Sequence, residues 1–196
     1  MNKPFITYTA QIEKLKTEKN LIITDTDFAV ESLQNISYYA LIGGYKHPFI
    51  DIYTRKYIND ACFEDIVALY EFDEELRGIF FKYLCRVKRK MRSSISYHFC
   101  KKHGERQEEY LNSNNYSNIS KNKNGSKYIY GKNDLFSVVI AFRYLLPKAD
   151  FLLFKKQLLH IFGHYEKQNS NLKLNDLFKY MGFPNNWKGI TKFRKI

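Results

Sequence analysis

The sequence predicts an all-α protein built on one long central helix, and three observations carry that prediction. Apolar residues from Phe63 to Ile95 recur mainly at three- and four-residue spacings, the period of one helix face. No proline interrupts 63–104, and Gly104 follows Lys101 and Lys102, a usual helix-stop pattern. Strand-like alternation is scarce.

In chain order, "YTAQIEKLKTEK" (8–19) and "DTDFAVESLQNISYYAL" (25–41) read as two shorter helices, with Thr24 or Asp25 as N-cap of the second. "IGGYKHPF" (42–49) reads as a turn that holds His47 extended before Pro48. It lacks the lysine and hydroxyl of a phosphate-binding loop. The central segment 63–104 is one helix or two nearly collinear ones, with Gly78 as its weak point. Its apolar positions are Ile66, Leu69, Tyr70, Phe80, Leu84, Val87, Met91 and Ile95. Residues 105–133, rich in Asn, Ser and Lys, read as a long loop or insertion. Helical pattern returns at "DLFSVVIAFRYLLP" (134–147), stops at Pro147, resumes at "ADFLLFKKQLLHIFGHYEK" (149–167) and closes with "LNDLFKYMGFP" (174–184).

A chain of 196 residues suits a single domain, 1–196, with a substantial core. With 44% hydrophobic and 17% aromatic residues, disorder is not the default. The N-terminus has no apolar signal-peptide core, and "FSVVIAF" falls far short of the roughly 18 residues that a membrane span needs. Cys62, Cys85 and Cys100 are odd in number and widely spaced, which fits a reducing compartment. A soluble cytoplasmic protein without membrane partners is expected.

The net charge of +12 is unevenly placed. Between Lys82 and Arg106 stand nine basic residues against one acidic, Glu105, a surplus of eight. Such a stripe attracts polyanions, because each neutralised phosphate releases a condensed counterion. The bland alternative is a solvated helix face.

Several chemistries can be set aside. Cys100 and His103 have half of a zinc-site spacing, but no second pair exists. His160 and His164 share a helix face without the glutamate of a zinc-protease motif, so they read as a packed core edge. Asp73 and Arg77 read as a surface ion pair. No acidic cluster large enough for magnesium is visible, and no cofactor or metal is expected. Arg92 and His98 remain. On an ideal helix they diverge by about 120°. His98 continues the seam Leu84, Val87, Met91 and Ile95 and is expected to point inward, with Arg92 beside it. Spacing alone leaves two readings open: a half-buried histidine beside a solvated arginine, or the working pair of an RNA site.

The segments "QIEKLKTEKNLIITDTDFAVESLQNISYYALIGGYKHPF", "FEDIVALYEFDEELR" and "RVKRKMRSSISYHFCKKHG" resemble abortive-infection (Abi) proteins of the AbiD/AbiF type. "FSVVIAFRYLLPKADFLLFKKQL" and "LFKYMGFPNNWKGI" resemble a compact branch of that family, so the resemblance covers nearly everything but the Asn-rich loop. It implies a HEPN-like helical bundle on a long central helix, and metal-independent RNA cleavage through Arg, four to six residues, then His. Arg92 and His98 fit with five between. The family often has Asn, Asp or His after the arginine; here Ser93 stands there, a shorter orienting group.

RNA supplies its own nucleophile, the 2′-OH, so the protein need supply only a base, an acid and charge stabilisation. The resemblance casts His98 as acid and base and Arg92 as the fork on the scissile phosphate. Lys88, Arg89, Lys90, Lys101 and Lys102 would track the backbone. Tyr97 would stack on a base or pack in the core, packing being the expected role. Active members dimerise so that two motifs meet in one cleft, and some are toxins restrained by a small antitoxin RNA, so RNA and a second copy are the expected partners. A homodimer phage-defence endoribonuclease is the leading expectation. The alternatives are a non-cleaving protein that holds a small RNA on its basic surface, and a protein-interaction domain whose charge serves solubility.

Overall fold

The computed structural model describes residues 5–58, 60–115, 134–168 and 170–193. Among them every regular element is helical, and extended pairing is confined to two isolated bridges, Ile22 with Cys62 and Ile50 with Tyr57. The helices are α1 (Tyr8–Thr17), α2 (Thr26–Ile36), α3 (Phe63–His103), α4 (Gln107–Tyr110), α5 (Leu135–Leu145), α6 (Lys148–Lys167), α7 (Leu174–Met181) and α8 (Trp187–Ile190). The all-α class stands.

Local chemistry explains the boundaries. Asp25 caps α2, accepting from the Phe28 N–H at 2.9 Å, while the Thr24 hydroxyl donates to Glu64 at 2.9 Å. Of the two expected caps, Asp25 does the work. Helix α2 is shorter than the pattern suggested: Ser37 adopts φ 70° and stops it, and Tyr39–Gly43 form a π-turn that buries Leu41 and Ile42. His47 is not extended. It opens a 3-10 turn, His47–Phe49, in which the Phe49 N–H donates to the Lys46 carbonyl at 3.0 Å. Burial of Phe49 outweighs the usual restriction on a residue before proline.

Helix α3 is one continuous helix of 41 residues that runs through Gly78. Gly104 ends it at φ +87°, its N–H donating to the Cys100 carbonyl at 2.8 Å. A Cβ there would run into the Glu109 carboxylate. Gly104→Ala is therefore expected to cost about 1–3 kcal/mol, from the left-handed backbone and the displaced glutamate. A urea melt with an unchanged midpoint would contradict this. Residues 107–110 and 113–115 are helical turns, so this part of the expected 105–133 loop is structured; residues 116–133 lie outside the described residues.

The chain forms two compact units. Unit 1 comprises residues 1–78 and 156–177. Its core includes Ile12 and Leu15 of α1, Ala29 and Leu33 of α2, Ile66 and Phe72 of α3, and Leu158 of α6. The Phe72 ring lies 4.7 Å from that of Tyr165. Asp65, only 3% exposed, is the polar centre. It accepts from the Asn171 N–H at 2.9 Å, the Cys62 N–H at 3.1 Å, the Cys62 thiol at 2.9 Å and the Asn171 amide at 2.9 Å. Burial opposes its charge, but these donors win and hold its pKa below the usual carboxylate value. The Cys62 thiol is pushed up to about 11 by burial and by the bond to Asp65.

Unit 2 comprises residues 79–155 and 178–196. Phe154 of α6 centres an aromatic core, meeting Phe80 at 5.2 Å, Tyr83 at 5.1 Å and Phe142 at 5.1 Å. The Arg86 guanidinium pairs with Asp150 and lies 5.1 Å from the Tyr83 ring. At the C-terminal end Phe183 stacks on Phe178 at 5.3 Å and meets Trp187 edge-on at 5.4 Å.

Candidate RNA-cleaving site

The candidate residues all lie on the part of α3 that belongs to unit 2. Phe80, Tyr83 and Val87, spaced by three and four, bury one face of the helix. Val87 is the last buried residue of α3. Beyond it Lys88 through His98 are all exposed, and Phe99, Cys100 and His103 are half-buried. Residues 88–103 extend the helix by about 24 Å at 1.5 Å per residue. The straight-chain helix formers Lys88, Arg89, Lys90, Met91 and Arg92, with Lys101 and Lys102, favour the helix at both ends of this segment.

The expectation that His98 points into a packed seam is overturned within the single chain. Met91 is 47% and Ile95 61% exposed, and His98 is exposed with them. The reason is the length of the neighbour: α5 ends at Leu145, where the Lys90 ammonium donates to the Leu145 carbonyl at 3.2 Å. Past that point Met91 and Ile95 stand uncovered. Tyr97 is exposed too, so it packs no core; its ring lies edge-on to His98 at 5.3 Å.

Arg92 lines a shallow depression of about 480 Å³ together with Ile95, Ser96, Phe99 and Cys100. His98 is not among the lining residues; it stands about 120° around the axis and about 9 Å along it from Arg92. One chain therefore does not bring the pair together. Among the described residues Ser93 forms no side-chain hydrogen bond that would orient Arg92. Lys88, Arg89, Lys101 and Lys102 are exposed and, among the described residues, paired with no carboxylate. Lys90 and Arg86 differ, being tied to the Leu145 carbonyl and to Asp150. The electrostatics are those of an open cationic rod.

Among the described residues no group of three or more His, Cys, Asp or Glu is placed to hold a metal. His160 and His164 are exposed rather than at a core edge, because they lie on the outer face of α6; His164 Nδ1 stands 3.6 Å from Glu75. All three cysteines are free thiols. Among the described residues no helix is long and apolar enough to cross a membrane.

Asp73 and Arg77 do pair, at 3.0 Å, but with a third member the sequence did not reveal. The Tyr45 hydroxyl donates to Asp73 at 2.6 Å and accepts from Arg77 at 3.3 Å. Burial first, then the bond to Asp73, pushes the Tyr45 phenol up to about 12. This clasp joins "GGYKHPF" to "YEFDEELR", so those two segments are tied structurally within unit 1.

A family model described as Abi-like protein matches residues 31–192. No curated protein and no solved structure matches the chain.

Proposed function

The chain belongs to the Abi-like family of abortive-infection proteins, and from that premise we propose that it is a phage-defence endoribonuclease of the AbiD/AbiF type, with a HEPN-type mechanism. The observation that carries this reading is the placement of Arg92 and His98 on the exposed, cationic second half of α3. A helix that leaves its bundle with arginine, lysine and imidazole uncovered is poorly explained by packing.

In the proposed reaction one His98 imidazole removes the 2′-OH proton, and the oxygen attacks the adjacent phosphorus. The 5′-oxygen leaves, taking a proton from the His98 imidazolium of a second copy. Arg92 binds the non-bridging oxygens as charge builds. The products are a 2′,3′-cyclic phosphate and a 5′-OH. One histidine cannot be base and acid at once, and the bare apolar row Leu84, Met91 and Ile95 offers a surface for a second copy. A homodimer with a composite site near its axis answers both. Restraint by a small RNA held on the same stripe belongs to this proposal.

Two observations favour the competing reading of a non-cleaving RNA-binding protein: Arg92 and His98 diverge around the helix, and among the described residues Ser93 does not tether the arginine. Incubation with labelled RNA separates the two, cleavage supporting the enzyme and a stable shift without cleavage the binder. Both require the stripe. Reversing Lys88, Arg89 and Lys90 to Glu is expected to weaken RNA binding and flatten its log–log salt dependence by roughly 0.7–0.9 per lost phosphate contact. An unchanged slope would remove the stripe from the account.

A further inference from the structure

We propose that unit 2 carries a second single-stranded RNA contact, where the end of α5 meets the C-terminal segment. It would bind backbone phosphates through Lys148, Lys188 and Lys192 and stack a base on Tyr144. This rests on the RNA-directed reading above and extends it beyond the α3 stripe.

Five cations converge there without a carboxylate partner among the described residues: Arg143, Lys148, Lys155, Lys188 and Lys192. Two of them are staples. Arg143 Nη2 donates to the Lys192 carbonyl at 2.9 Å, and the Lys155 ammonium donates to the Lys188 carbonyl at 3.0 Å. These bonds fix the C-terminal segment but leave like charges crowded together. Burial, then Lys192, Arg143 and Lys188, depress the Lys155 pKa. Among the described residues the buried Arg143 Nε has no hydrogen-bond partner. Such crowding is a cost to the free protein that a polyanion would relieve.

The surroundings suit a nucleic acid strand better than a lone small anion. Arg143, Gly189, Ile190, Lys192 and Phe193 line an open depression of about 470 Å³. The Phe193 ring lies 5.6 Å from both the Arg143 guanidinium and the Lys148 ammonium. Tyr144 is 74% exposed, with the Arg143 guanidinium 5.4 Å from its ring. A cationic groove beside an open aromatic face is the usual way to hold single strands without reading sequence. The Lys90 bond to the Leu145 carbonyl places the end of α5 beside the α3 stripe.

The test is RNA binding across a salt series, using the full chain with His98→Ala to prevent cleavage and a labelled single-stranded RNA lacking secondary structure. Replacing Lys148, Lys188 and Lys192 together by Ala is expected to make the log–log slope shallower by about 2, from about 0.7 per phosphate on single strands. All three are exposed, and each single substitution reads the same effect at about 0.7. Tyr144→Ala is expected to weaken binding about tenfold, and Tyr144→Trp to retain it. Slope and affinity unchanged in these variants, while the Lys88, Arg89 and Lys90 reversal weakens binding, would overturn the second contact and leave the stripe standing. A parent chain that binds no RNA would take down both.

Discussion

His98→Ala is expected to lower RNA cleavage by about 10²–10⁴-fold while RNA binding changes little. An imidazole carries one ring nitrogen that can accept a proton and one that can donate it, the pairing that base and acid steps need. It is also exposed on α3 and holds no core together, so its removal should leave the fold intact. Equal melting temperatures for parent and variant are part of the expected result. Mixing sharpens it: a dimer of one His98→Ala chain and one intact chain has base or acid but not both, and should lose most of its rate. Full rate per dimer from such a heterodimer, or an active monomer in light scattering, would contradict the composite site. Cleavage unchanged in the homodimeric variant would remove His98 from the chemistry.

Asp65→Ala is expected to destabilise unit 1 by about 2–5 kcal/mol. The carboxylate is buried and accepts four hydrogen bonds, two of them from backbone N–H groups that would be left unpaired. The pH dependence has a definite sign. The folded pKa lies below the unfolded value near ~3.9, so this stability is present above the unfolded pKa. It is lost as pH falls through the folded pKa. Asp65→Asn, which cannot charge, should lower stability at neutral pH and remove that share of the acid-side slope. Urea midpoints measured from neutral pH down to about 3 check both; a midpoint for Asp65→Asn that falls with acid as steeply as the parent's would contradict the assignment.

The parts of this fold legible in the sequence are those set by local periodicity and end signals. Three- and four-residue spacing marked α3, Gly104 marked its end, and Asp25 its place before α2. The stop at Ser37 was hidden, because a serine at positive φ carries no compositional sign. The 3-10 turn at His47 was hidden too, being fixed by burial of Phe49 rather than by the proline beside it. Periodicity also told which face of α3 is apolar but not where its cover ends. Val87 and Ile95 look alike in sequence; α5 stops between them, and only Val87 is buried. The Arg92 and His98 pair was legible as spacing and as resemblance. Its division across two helix faces was legible as well, from the same 100° step. The Tyr45 clasp, spanning 28 residues to Asp73, and the cation cluster gathered from α5, α6 and the C-terminal segment required the fold.

The activity proposed for this chain is cleavage of RNA through the RNA's own 2′-OH, with side chains and no metal. The most direct measurement is a single incubation of the purified protein with end-labelled RNA in excess EDTA, followed by analysis of the product ends. A matched substrate carries deoxyribose at the scissile nucleotide. Cleavage in EDTA, 2′,3′-cyclic phosphate ends and no cut at the deoxyribose position are the expected results. Activity abolished by EDTA and restored by a divalent cation, or cleavage that persists at the deoxyribose, would contradict it.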